Sequence, residues 1–453
     1  MNNSRKLKSE CQAAILHRRI MNNLKVSIAI CIFGFFVFGS PLFSEENRKT
    51  ISSPDVKNSE KNENIPPETK EVDSNSSKEL EVDTDSGKKP FLTEKDITNS
   101  SPLKLGFFVD SYYNASLNRP NSKEASYTTQ ATRTNEFNIN LAYLDANFET
   151  NKYRGRFAVQ FGTSVAANYV GEGTTGKTSN EFSVRNMQEA YGGIKLGKST
   201  WLDMGIYFGH LGYESWVSHD NFVYTRSLSL DNVPYYVSGV RLSGKITDKL
   251  KYQLHLDNGY QVVTDNNKDV SGGFRLEWTP LKSLMFRWNT FMGNELPTAI
   301  PKEVRYYNNF IAEWKPSDSW IVASSFDVAY QRRADDRDLI YLPNGPAYIN
   351  RDSSAYRQLY AGNLWVAYRF LPEWRIGSRF ERYVDREQMI VQTGTLHGFQ
   401  TGGATTTLDY IPNEFFLVRF TYQYRLSRDV IYPREANMSR LDRQFIFSLS
   451  IKI

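Results

Sequence analysis

From Leu103 to Ile453 apolar and polar residues alternate in blocks of about ten positions, as in Leu284-Met-Phe286-Arg-Trp288-Asn-Thr290-Phe-Met292. A period of two marks a strand with one apolar and one polar face. Rising strands can be placed near 103–113, 153–164, 201–210, 250–259, 284–294, 320–332, 374–385 and 415–427. Returning strands fall near 136–148, 186–196, 235–246, 271–279, 304–314, 356–369, 399–410 and 441–453. That makes about sixteen, and a closed antiparallel barrel that crosses a bacterial outer membrane needs an even number of such segments. The expected fold class is therefore all-β, a transmembrane antiparallel β-barrel over 103–453.

The connections between these blocks alternate in length. Short ones lie at 150–152, 197–200, 247–249 and after four aromatic-x-proline triplets, Trp278-Thr-Pro280, Trp314-Lys-Pro316, Phe370-Leu-Pro372 and Tyr410-Ile-Pro412. Proline has no N–H for a strand ladder and collects at strand ends. Long connections lie at 114–135, 165–185, 211–234 and 333–355. Short periplasmic turns and long extracellular loops follow from this asymmetry. In the last block Phe445, Phe447, Leu449, Ile451 and Ile453 share one face and Gln444, Ser448, Ser450 and Lys452 the other. A terminal strand of this kind resembles the signal read by the barrel-assembly machinery.

The first hundred residues follow different rules. Met21-Asn-Asn-Leu-Lys25 and the apolar stretch Val26 to Phe38 form an export signal, with cleavage expected after Ser44 and Met21 as a candidate true start. The apolar stretch is too short to span a bilayer as a helix. Residues 45–102 are rich in Glu, Lys, Ser, Asn, Asp and Pro and are expected to form a disordered periplasmic linker. Both cysteines, Cys11 and Cys31, precede the cleavage point, so neither a disulfide framework nor a cysteine metal site is expected.

Composition first argues against a membrane, since mean hydropathy is -0.52 and 23% of residues are charged. A barrel removes the conflict because only every second strand residue meets lipid. An aromatic share of 14% suits girdles at the two interfaces. The net charge of +5 is not gathered into a basic run, which argues against nucleic-acid binding. Enzymatic readings need a nucleophile and base at the rim, and none of the five histidines lies beside a nucleophile motif. His210 and His219 with Glu214 and Asp220 could mimic a metal cluster, but loop spacing alone does not make one. No enzyme activity, cofactor or metal is expected.

The stretch Gly205-Ile-Tyr-Phe-Gly209-His-Leu-Gly212-Tyr-Glu214-Ser, continuing through Asn221, Tyr224, Arg226-Ser227 and Pro234-Tyr235-Tyr236 to Gly239-Val-Arg241, resembles the central region of the β-barrel porin-2 family. The resemblance covers about 103–453 and implies an outer-membrane porin of a diderm bacterium, embedded in outer-membrane lipid, without implying a particular solute. Sixteen-stranded porins are often homotrimers.

Assigning the non-lipid face of each strand turns Arg275, Arg287, Arg375, Arg379, Arg419 and Arg425, with Glu277 and Glu381, toward the lumen as pore-lining residues. Basic groups outnumber acidic ones on these faces, which suggests a water-filled channel for small hydrophilic solutes or ions with a weak anion preference. The connection 211–234 carries Glu214, Asp220, Arg226 and Asp231. By analogy with porins it would fold inward as a constriction loop, its carboxylates facing Arg375, Arg379 and Arg419 across the pore. The alternative function is a surface adhesin or receptor that acts through the long outer loops.

Overall fold

The computed structural model describes residues 101–172, 184–298, 301–333, 337–342, 345–350 and 356–453. The expected signal peptide and nearly all of the expected linker lie outside the described residues. Sixteen strands close into one antiparallel barrel. They are β1 (Leu103–Ser116), β2 (Phe137–Glu149), β3 (Tyr153–Phe161), β4 (Met187–Lys195), β5 (Trp201–Phe208), β6 (Tyr236–Thr247), β7 (Leu250–Asp257), β8 (Ser271–Leu281), β9 (Leu284–Asn294), β10 (Val304–Ser317), β11 (Trp320–Arg332), β14 (Tyr356–Leu371), β15 (Trp374–Asp385), β16 (Phe399–Tyr410), β17 (Phe416–Ser427) and β20 (Leu441–Lys452). Two hairpins stand outside the barrel sheet, β12 (Arg337–Leu342) with β13 (Gly345–Asn350) and β18 (Tyr432–Arg434) with β19 (Asn437–Ser439). A short helix, α1 (Thr163–Asn168), follows β3. Each barrel strand pairs with its neighbour in the chain's barrel order, and β20 closes the seam against β1 from Phe108↔Lys452 to Ser116↔Gln444.

Alternation along each strand sorts its residues between the two faces. On β17, Phe420, Tyr422 and Leu426 are exposed on the outside, while Arg419, Thr421, Gln423 and Arg425 are buried inside. β20 repeats this with Phe445 and Phe447 outside and Asp442, Gln444, Ser448 and Ser450 inside. The distribution is the reverse of a water-soluble protein, with apolar side chains presented outward and charged ones enclosed. Hydrocarbon imposes it, because a lipid-facing surface must be apolar and every backbone group must find a partner in the ladder.

The two barrel ends differ. At one end β6–β7, β8–β9, β10–β11 and β14–β15 are joined by two-residue turns, each preceded by a register slip of one residue. Two of the aromatic-x-proline triplets place their prolines, Pro280 and Pro316, within these slips, and a third places Pro372 in the turn itself. A bulge leaves a residue unpaired, so proline costs no ladder hydrogen bond there. Trp278 and Phe370 of these triplets help form a rim together with Trp320 at the start of β11, all three exposed on the outer face. The opposite end carries the longer connections, including 117–136, 209–235, 258–270 and 386–398.

Lipid-face substitutions should therefore follow depth. Phe420→Arg, near the middle of β17, is expected to lower stability by about 2–4 kcal/mol, and Trp320→Arg at the rim by about 0–1 kcal/mol. Urea unfolding of the barrel in lipid vesicles measures both, and equal penalties would contradict the placement of the belt.

Candidate functional site

The feature that organises the interior is the connection between β5 and β6. Residues 209–235 turn into the barrel instead of away from it, and are called the inner loop below. Two glycines allow the turn. Gly212 has φ +87, a conformation that L side chains rarely adopt, and a Cβ on Gly209 would strike the Pro234 carbonyl on the returning limb. The Gly212 N–H donates to Asn309 Oδ1 on β10 at 3.1 Å. From there the loop reaches β1, where Ser218 Oγ donates to Asp110 at 2.7 Å, and β20, where His219 Nδ1 lies 3.0 Å from Ser450 Oγ. On its way back Thr225 Oγ1 donates to Gln423 on β17 at 2.8 Å.

Arginines of β15 and β17 hold the loop. Arg375, Asp409 and Arg419 form one cross-strand rung, with Asp409 accepting from Arg375 at 2.5 Å and paired with Arg419 at 3.0 Å. Arg419 also donates to the carbonyls of Ser218, at 2.5 Å, and Asn221. Three inward-facing rungs further along, Gly403 separates Glu381 from Arg425, and with no side chain between them the two pair at 3.1 Å. Glu381 in turn accepts from the Leu228 N–H at 2.7 Å. Glu214 crosses to Arg379 at 3.0 Å and accepts from Trp365 Nε1 at 3.0 Å and Ser227 Oγ at 2.6 Å.

This arrangement corrects two expectations. Arg379, Arg419, Arg425 and Glu381 point inward but do not border water, because the inner loop lies directly on them and leaves them fully buried. The loop also does not set a row of carboxylates across an open gap. Of its four expected charges only Glu214 meets one of the three wall arginines. Asp220 pairs with Lys452 at 2.6 Å, and Arg226 pairs with Asp231 of the same loop at 3.4 Å. The Arg226 guanidinium lies against the rings of Trp216 and Tyr235. Burial pushes Arg226 down to about 10 against the pull of Asp231 and Glu214, and burial raises Asp231 against the pull of Arg226.

Among the described residues, a cavity of about 550 Å³ opens at the short-turn end of the lumen, bordered by Tyr213, Glu214, Glu277, Arg287, Glu313 and Trp365 among others. Most of its charges are paired. Arg287 donates to Glu277 at 2.7 Å, Lys251 meets Glu277 at 3.0 Å and Lys315 meets Glu313 at 2.8 Å. Arg375 keeps some exposure, whereas Arg275 is turned to the His210 carbonyl and to Asn289. Asp203 takes both Arg154 and Arg241, at 2.5 and 2.8 Å, and Arg156 is shared by Asp145 and Glu189. Sequence reasoning overlooked Arg241 and Asp145, although alternation along β6 and β2 was sufficient to place both inside.

Toward the long-connection end the lumen becomes apolar. Phe291, Tyr307, Leu359, Tyr383 and Phe399 on the wall cluster with Leu211, Leu228, Leu230 and Val233 of the inner loop and with Met389, Val391 and Ile431 of other connections. A polar, water-filled pore was the expectation. The signal for this layer was available, since all five wall residues occupy inward positions within a few residues of a long connection.

Glu214→Ala would leave a buried guanidinium and indole N–H short of a partner, and should lower stability by roughly 3 kcal/mol, the low end for a broken buried pair because Arg379 keeps Glu381 nearby. Urea unfolding and protease cleavage within 211–234 report it. Burial lowers His219 below its ordinary 6.5, with Arg419 acting in the same direction. A depressed histidine binds fewer protons folded than unfolded, so its contribution is present above about pH 6.5 and is lost as pH falls through the folded value. Protease sensitivity of the loop should rise on acidification from pH 7 to 5, and His219→Asn should flatten that dependence.

No curated protein sequence matches the chain significantly. Among solved structures the barrel is similar to the outer membrane channel DcaP of Acinetobacter baumannii, at 12% identity and TM-score 0.47, over 78% of this chain and 97% of that one. It is also similar to OmpF of Salmonella typhi in complex with daunomycin, at 10% identity and TM-score 0.49, over 78% and 97%. A third is the anion-selective porin of Comamonas acidovorans, at 6% identity and TM-score 0.48, over 78% and 99%. The fold itself rests on the barrel's own hydrogen-bond ladder. Residues 102–453 match the family described as Putative beta-barrel porin-2, OmpL-like, and the chain belongs to that family.

Proposed function

We propose that the protein is an outer-membrane porin that passes small polar solutes or ions along a path narrowed by residues 209–235, with the short turns facing the periplasm. The observation that carries this reading is the enclosed polar wall beneath an apolar belt, opening into the charged cavity of about 550 Å³. Paired charges make the selectivity weak. Asp203 and Asp409 each serve two arginines whereas Arg156 is shared by two carboxylates, so these clusters together keep a small positive surplus, which favours anions slightly.

A second reading draws on the apolar layer at the long-connection end, which suits a corked barrel acting as a surface receptor or adhesin through its loops. Planar-bilayer recording of the purified chain separates the two. Stepwise conductance with a slightly anion-selective reversal potential in a salt gradient is expected, and a folded barrel that stays silent would favour the receptor. Arg287→Glu, in the wetted cavity, should shift the reversal potential toward cations. Arg379→Gln should leave its sign unchanged and raise conductance by loosening the inner loop.

A further inference from the structure

Where the inner loop leaves the wall, three residues distant in sequence converge. His210 is the second residue of the loop, and His255 and Asp257 are inward-facing residues at the end of β7. All three are buried, and a ligand atom from each lies within 4.8 Å of the other two. The imidazoles stack with centroids 4.0 Å apart and planes at 20°. Glycine makes the approach possible. His210 lies over Gly273 on β8, where a Cβ would come within 2.7 Å of His210 Nε2.

The hydrogen bonds of the three residues are divided in a particular way. His210 Nε2 donates to the Thr290 carbonyl at 2.6 Å, His255 Nε2 donates to Gln253 Oε1 at 3.2 Å, and Asp257 Oδ1 accepts from Tyr207 at 2.8 Å. Those contacts set the tautomer of each ring and leave both Nδ1 atoms as acceptors. Neither Nδ1 has a hydrogen-bond partner, and that of His255 lies 3.6 Å from Asp257 Oδ2. Two unpartnered ring nitrogens and a carboxylate therefore share a buried space, while the far side of every group is anchored as metal-ligating histidines and carboxylates are. Of the arginines nearby, Arg241 is paired with Asp203 and Arg275 is held on the His210 carbonyl and Asn289.

We propose that His210, His255 and Asp257 form a binding site for a divalent transition metal of zinc's class, which clips the start of the inner loop to β7. Two imidazole nitrogens and one carboxylate are a common zinc donor set that leaves a fourth position for water. Tetrahedral bonds of 2.0–2.1 Å put ligands about 3.4 Å apart, so the two imidazoles would turn out of their stacked arrangement and draw in on the ion with the carboxylate.

The test is a cobalt titration of the untagged, chelator-stripped chain folded in detergent, with folding checked by circular dichroism. Cobalt(II) is expected to bind at one equivalent with the intense visible absorption of a low-coordinate site, and zinc should displace it. His255→Gln and Asp257→Asn should each weaken binding at least tenfold, Tyr207→Phe should weaken it about tenfold by freeing the carboxylate, and His397→Ala should change nothing. Absence of that absorption in the folded wild-type chain would overturn the site whether or not the variants fold. So would cobalt binding that persists unchanged in the two ligand variants, or that is lost with His397.

Discussion

Hydrocarbon leaves no water to satisfy a backbone amide, so an open strand edge inside a bilayer costs several kcal/mol for each unpaired group. The seam between β1 and β20 answers that constraint. Without Phe108↔Lys452 through Ser116↔Gln444 the sheet would have two edges in lipid. Closure also creates an enclosed interior with two faces to each strand, and the sorting of apolar from charged residues follows from it.

The interior then meets a second constraint. Charged side chains buried away from water must be paired, and an unpartnered one is expensive. In this barrel the inner loop supplies many of the missing partners. Its carbonyls cap Arg419, its Glu214 meets Arg379, and its Leu228 N–H completes Glu381. Wall and loop depend on each other: the loop keeps its path because the arginines hold it, and the arginines tolerate burial because the loop covers them. Among the described residues, the short-turn half keeps a cavity, which pairs such as Glu277 with Arg287 border.

Much of the barrel was legible in the chain. Period-two alternation located sixteen strands within a few residues, because lipid on one side and an enclosed lumen on the other impose the same pattern on every segment. The hairpins β12–β13 and β18–β19 were not read, since strands outside the sheet feel no such contrast. Inward-facing arginines could be found by counting alternate positions, and Arg241 was missed only because the counting was not carried along β6. That Arg379 and Arg425 are covered was not legible, as nothing in the alternation of β15 or β17 records a loop that arrives from another part of the chain.

By itself the sequence determined which side of each strand meets lipid, where the tight turns fall and which charges are enclosed, because these depend on contacts local to a strand and its solvent. Only the tertiary structure decided what those charges touch. The route of residues 209–235, the filling of one end by apolar side chains, and the meeting of His210 with His255 and Asp257 all depend on register around a closed sheet and on a loop returning through its centre. Such contacts join residues tens to hundreds of positions apart, and a periodic pattern carries no record of them.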